Sequence, residues 1–133
     1  MIKVLVADDS IGWRNFHLKM LKSISSDFDI TICEWARDAY DKVFENIKNP
    51  YDLIISDLQM EDDFYPLLAG EWLIERIHEL SSYKNTPIIL ISATYNIKNI
   101  ADNYGVDYLP KSIAVNDLLA YKLKLEETLK REF

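Results

Sequence analysis

Five polar residues in this 133-residue chain stand where short apolar runs end, and their types suit one chemistry. Asp8 and Asp9 follow Ile2–Ala7, Asp57 follows Leu53–Ser56, Ser92 closes Ile88–Ser92, and Lys111 comes just after Val106–Leu109. Carboxylates gathered in one pocket repel each other and raise their own pKa values unless a cation sits among them. Ligands that are all oxygen favour a hard cation, and Mg²⁺ suits a site that also takes phosphate. Asp57 beside such an ion can attack phosphorus and form an acyl phosphate. Lys111 offers a compact positive charge to one phosphoryl oxygen, and the Ser92 hydroxyl can donate to another.

Taken singly, each residue has an ordinary reading. Asp8, Asp9 or Ser10 could cap the helix that follows. Asp57 could be a turn residue, Lys111 a solvated lysine and Tyr108 a half-buried strand aromatic. The signal lies in the set, because all of them fall at or near carboxyl ends of strands. Open parallel α/β sheets bind their ligands there.

The elements that must place these residues alternate in type. Ile2–Ala7, Leu53–Ser56 and Ile88–Ser92 are almost unbroken in Val, Ile and Leu, as strands covered on both faces are. Ile30–Trp35 and Val106–Leu109 supply two further strands. Between them run helical stripes: Trp13, Phe16, Met20 and Ile24; Ala36, Tyr40, Val43, Phe44 and Ile47; Leu73, Ile74, Ile77 and Leu80; Ile97, Ile100, Ala101 and Tyr104. Leu118, Tyr121, Leu125 and Leu129 make the last, with Asn116 as its expected N-cap, and Gly105 ends the fourth helix. Five βα units in series specify an α/β, doubly wound parallel sheet. Proline is tolerated on edge strands, so Pro110 places the fifth strand at an edge, as the flavodoxin-like order 2-1-3-4-5 does.

Composition bounds the partners. A net charge of −7 argues against direct nucleic-acid binding, which needs clustered Lys and Arg, and against docking on anionic lipid. The single cysteine, Cys33, excludes an internal disulfide and a cysteine metal cluster. No secretory signal and no run of membrane-spanning length is present, so a cytoplasmic location is expected. Only three glycines occur and none builds a phosphate-cradling loop, which disfavours a nucleotide site.

On these residues the chain resembles the receiver domains of two-component response regulators, chemotaxis-regulator-like and stand-alone, over essentially its whole length. Val4–Ser10 resembles the opening strand with its acidic pair, and Asp52–Met60 the strand that delivers the phosphoacceptor. Pro87–Ala93 and Gly105–Lys111 match the segments bearing the hydroxyl residue, the switch aromatic and the lysine. The resemblance implies one receiver domain over residues 1–133. It implies Mg²⁺ held by Asp8, Asp9, Asp57 and the backbone carbonyl of Gln59. Asp57 would be the phosphoacceptor, Ser92 and Lys111 the phosphoryl ligands, and Tyr108 the aromatic that turns inward with Ser92 on activation. Gln59 and Thr94 would tune the lifetime of the phosphoryl group. The expected phosphodonor is a sensor histidine kinase or phosphotransfer protein. The expected output is a remodelled face of fourth helix, fifth strand and fifth helix that contacts a downstream protein. Whether that face also supports a phosphorylation-linked dimer stays open.

Two other functions compete. A phosphorylation-independent protein-binding module would be compatible with the departures described next. A Mg²⁺-dependent phosphohydrolase would place a carboxylate two residues after its nucleophile, where this chain has Gln59, an amide unable to transfer the proton. The chain is therefore expected to catalyse only its own phosphorylation and dephosphorylation.

Three departures from the family pattern carry structural expectations. Ser112 follows Lys111 where proline on a cis bond is usual; without proline, cis costs about 3–4 kcal/mol, so a trans bond or a strained loop is expected. Glu61, not proline, follows Met60. Gly70 stands thirteen positions after Asp57, which makes an unusually long loop carrying Glu61, Asp62, Asp63, Phe64, Tyr65, Leu67 and Leu68. It either shields the site or presents a partner surface, or it is a solvated loop whose apolar residues tuck onto the third helix. His17 and His78 are expected at surface or boundary positions away from the carboxylates. Trp13, Trp35 and Trp72 are expected in the core.

Overall fold

A computed structural model describes all residues, Met1–Phe133. The strands β1 (Ile2–Ala7), β2 (Phe28–Cys33), β3 (Leu53–Ser56), β4 (Ile88–Ser92) and β5 (Asp107–Pro110) form one parallel sheet in the order β2-β1-β3-β4-β5. The helices are α1 (Ile11–Ile24), α2 (Ala36–Glu45), α3 (Ala69–His78), α4 (Ile97–Tyr104), α5 (Lys111–Asn116) and α6 (Leu118–Leu129). None is long and apolar enough to cross a membrane.

The period-2 alternation of strand side chains explains why the central runs are apolar throughout. Leu5, Ala7, Ile54, Ile88 and Leu90 face one core layer with α2, α3 and α4. Val4, Val6, Leu53, Ile55, Ile89 and Ile91 face the other, with Leu21 of α1 and Tyr121 and Leu125 of α6. Central strands thus have no solvent face, and their carboxyl ends open at one rim.

The edges differ from expectation. β2 begins at Phe28, opposite Ile2, and stops at Cys33, so Trp35 lies outside it at the entry to α2 and is exposed. β5 is shifted by one residue and ends on Pro110, on the edge where proline is tolerated. A sixth helix, α5, is inserted before the last one and occupies Asn116, whose side chain donates to the Ser112 carbonyl. The cap of α6 is therefore Asp117, not Asn116: Asp117 has extended backbone and accepts from the Ala120 amide. Phe44 and Leu118, members of apolar stripes, are exposed.

Candidate phosphoryl and metal site

The strand ends bring Asp8, Asp9 and Asp57 together, with ligand oxygens all within 4.8 Å of one another. Asp57 is buried at the end of β3, where its amide donates to the Ala7 carbonyl at 2.9 Å. Its Oδ1 accepts from the Leu58 amide at 2.7 Å and the Gln59 amide at 3.4 Å. Its Oδ2 accepts from Lys111 Nζ at 2.8 Å. Asp8 is fully buried; its Oδ1 takes the Ser10 amide, and Arg14 donates to its backbone carbonyl. Ser10 is the cap of α1, accepting from the Trp13 amide.

Lys111 Nζ also lies 3.0 Å from Asp8 Oδ2 and 4.8 Å from the centre of the Trp13 ring. Burial pulls the Lys111 pKa down, but the hydrogen bond to Asp57 and the charges of Asp57 and Asp8 outweigh it and leave the ammonium above its ordinary value. Burial, then the Asp57 charge, push the Asp8 carboxyl above the ordinary range despite the Ser10 amide and Lys111. Proximity to Lys111 does not satisfy Asp8 Oδ2, which receives no hydrogen bond of good geometry. Three carboxylates face a single ammonium, which leaves the pocket with an excess of negative charge. A buried, unsatisfied carboxylate oxygen in an all-oxygen set of that charge fits a hard divalent cation.

Ser92 is buried at the end of β4, but its hydroxyl shares a 2.9 Å hydrogen bond with Thr94 rather than with Asp57 or Lys111. Tyr108 is half-buried on β5, with Lys124 Nζ 5.9 Å from its ring centre, and Gln59 is exposed. The Lys111–Ser112 bond is trans; the one cis bond lies between Tyr65 and Pro66, in the loop. Lys111 reaches the acidic cluster from the first residue of α5.

Gly70 packs directly on the backbone that carries Asp57. Its amide donates to the Leu58 carbonyl at 2.9 Å, and a Cβ added there would overlap the Asp57 carbonyl oxygen and the Leu58 Cα. Both obstacles are backbone of the segment that carries Asp57, so they cannot rotate aside. Gly70→Ala is expected to cost about 3 kcal/mol in urea denaturation, as overpacking against rigid atoms does. An unchanged midpoint would show that α3 is free to shift.

The long loop is anchored. Glu61 accepts from the Ala36 and Arg37 amides at 2.8 and 3.1 Å, supplying the cap that Trp35 cannot give α2. Phe64 stacks on Trp72 of α3 at 4.1 Å, as expected for apolar residues tucked onto that helix, and the Arg37 guanidinium lies over the Phe64 ring at 4.8 Å. Tyr65 is left exposed.

His17 corrects the sequence reading. It is 1% exposed, with Nδ1 2.8 Å from the Tyr121 hydroxyl and Nε2 3.9 Å from Asp8 Oδ2. Position 17 lies four residues from both Trp13 and Leu21, on the inward stripe of α1, and that spacing was the available signal. Burial, and then the Lys111 charge, hold its pKa down at about 3, so the imidazole is neutral. His78 is exposed, as expected.

The model of the response regulator receiver domain family matches residues 4–122. The two-component response regulator ARR11 of Arabidopsis thaliana is 32% identical over 121 residues, covering 88% of this chain and 21% of that protein. ORR26 of Oryza sativa subsp. japonica is 31% identical over 95% of this chain and 21% of its own length. The chain thus spans about a fifth of these curated relatives. Among solved structures, the chemotaxis protein CheY4 of Vibrio cholerae superposes with a TM-score of 0.72 at 25% identity, covering 96% of this chain and 98% of that one. Fold, acidic cluster and family match agree, and the chain belongs to the response regulator receiver domain family.

Proposed function

We propose that residues 1–133 form one receiver domain that accepts a phosphoryl group on Asp57 in a Mg²⁺-dependent reaction. The observation that carries this reading is the buried pocket in which Asp8, Asp9 and Asp57 converge around an unsatisfied oxygen, with Lys111 bridging two of them. Asp8, Asp9, Asp57 and the Gln59 carbonyl would hold the ion, which when bound neutralises developing charge on the phosphoryl oxygens.

The chain's own groups do the rest. The Leu58 and Gln59 amides fix Asp57 Oδ1, so Oδ2 is the attacking atom. Its lone pair forms the new O–P bond as the donor's bond to phosphorus breaks and the donor leaves with that electron pair. Lys111 passes from Asp57 Oδ2 to a phosphoryl oxygen. Ser92 exchanges Thr94 for another phosphoryl oxygen, and the space it vacates admits Tyr108. The face of α4, β5 and α6 then carries the message to a downstream protein. The donor is a sensor histidine kinase or phosphotransfer protein, and the setting is the cytoplasm. Thr94 and Gln59 border the leaving phosphoryl group and set its lifetime.

Calorimetric titration with Mg²⁺ tests the pocket. The wild-type protein is expected to bind one ion, and Asp8→Asn to weaken it by more than the roughly tenfold that loss of an outer-shell partner costs. Equal affinity in the two proteins would place the ion elsewhere.

A further inference from the structure

His17 and Tyr121 are buried polar residues beside the acidic pocket that phosphoryl transfer leaves without a task. They come from opposite ends of the chain, 104 positions apart, and join α1 to α6 through one 2.8 Å contact. The imidazole is wedged between Trp13, at 5.8 Å, and Tyr121, at 5.7 Å, with Phe16 against its edge. These rings give the side chain little room to choose another direction.

Two neutral tautomers are possible, and the surroundings separate them. With the proton on Nδ1, the Tyr121 hydroxyl loses its one acceptor and an imidazole lone pair faces the Asp8 carboxylate. That arrangement orphans a fully buried donor and sets two electron-rich groups together. With the proton on Nε2, the hydroxyl donates to Nδ1 and the Nε2–H faces Asp8 Oδ2. The Tyr121 hydroxyl then has its acceptor, and an N–H dipole rather than a lone pair points at the carboxylate.

We propose that His17 is a positioning residue for Asp8: Tyr121 fixes the imidazole as the Nε2–H tautomer, and that N–H holds the Asp8 carboxylate ready for the divalent ion. At 3.9 Å the contact is longer than a hydrogen bond and acts as a dipole facing a charge, in dry surroundings where such terms are large. It matters most during transfer. Lys111 is the cation that pairs with Asp8 Oδ2 at rest, and the same Lys111 is drawn away to the phosphoryl oxygen. The His17 N–H then remains facing Oδ2. Partners behind metal ligands commonly change metal affinity by roughly 10- to 100-fold.

This inference rests on the metal reading above, and the test separates the two. In the metal-free wild-type protein at neutral pH, ¹⁵N and ¹³C spectra of His17 are expected to show a protonated Nε2 and a bare Nδ1. Tyr121→Phe, which keeps the ring and removes only the hydroxyl, is expected to weaken Mg²⁺ binding roughly tenfold. His17→Leu is expected to do the same, and His17→Gln, which retains an N–H donor, to recover most of the loss. The order of affinities should not follow the order of urea midpoints measured on the same variants. A wild-type Nδ1–H tautomer would overturn the proposal whatever the metal does, and so would equal Mg²⁺ affinity in wild type and Tyr121→Phe. Absence of Mg²⁺ binding to the wild-type protein would overturn the metal reading and this proposal together.

Discussion

Lys111→Met is expected to destabilise the metal-free protein by about 3–5 kcal/mol at pH 8, the cost of leaving buried charges without their partner. The lysine side chain is only 11% exposed and bridges Asp8 at 3.0 Å and Asp57 at 2.8 Å, and both carboxylates are buried. Methionine fills similar space beside Trp13 but supplies no charge. Mg²⁺ is expected to return much of the lost stability, because the ion takes over the neutralisation that Lys111 provides alone. The cost should also shrink as pH falls, since Asp8 already binds a proton more readily than an ordinary aspartate. Phosphorylation of the variant is expected to slow by roughly 10²–10³-fold, the scale of losing one fixed charge at a transition state. Urea unfolding with and without Mg²⁺ checks the first part. A midpoint that equals wild type in the absence of metal would show that the pocket does not need its cation.

The second large effect is acid lability through His17. Its folded pKa is about 3, against 6.5 for an ordinary histidine. Between those values the unfolded chain binds a proton that the native protein refuses, so stability falls as pH drops through that window. Above about pH 6.5 the contribution is fully present. A shift from 6.5 to about 3 corresponds to on the order of 4–5 kcal/mol lost by the bottom of the window. Asp8 works the other way: its raised carboxyl takes up a proton in the native state and offsets part of the loss. His17→Leu is expected to flatten the dependence between pH 4 and pH 6.5, at a pH-independent cost of about 1–3 kcal/mol because the buried Tyr121 hydroxyl loses its acceptor. A slope identical to wild type would assign the acid lability to other groups.

What the sequence reveals follows from how locally each feature is encoded. The three central strands are legible because both their faces are buried, which leaves no polar position to interrupt Leu53–Ser56 or Ile88–Ser92. The edge strands β2 and β5 are half-exposed, so their apolar pattern is diluted and their ends slip by one or two residues. Helix α5, with six residues, is too short to show a period, and its presence moves the cap of the last helix from Asn116 to Asp117. Asp8, Asp9 and Asp57 could be grouped because their positions depend only on strand order. For His17 only the burial has a local signal, its spacing from Trp13 and Leu21; its place beside Asp8 cannot be read, because that depends on packing against Tyr121, 104 residues away. The anchoring of the loop likewise needs Glu61 to meet amides 25 and 24 positions earlier, a pairing without a local signature.

The most direct measurement is intact-mass spectrometry after incubation with Mg²⁺ and acetyl phosphate, beside Asp57→Asn. One added phosphoryl group is expected on the wild-type chain, absent without Mg²⁺ and absent from the variant. An unmodified wild-type chain, or an adduct that persists in Asp57→Asn, would contradict phosphoryl acceptance at Asp57. The unmodified chain would instead favour a receiver fold that binds its partner without phosphorylation.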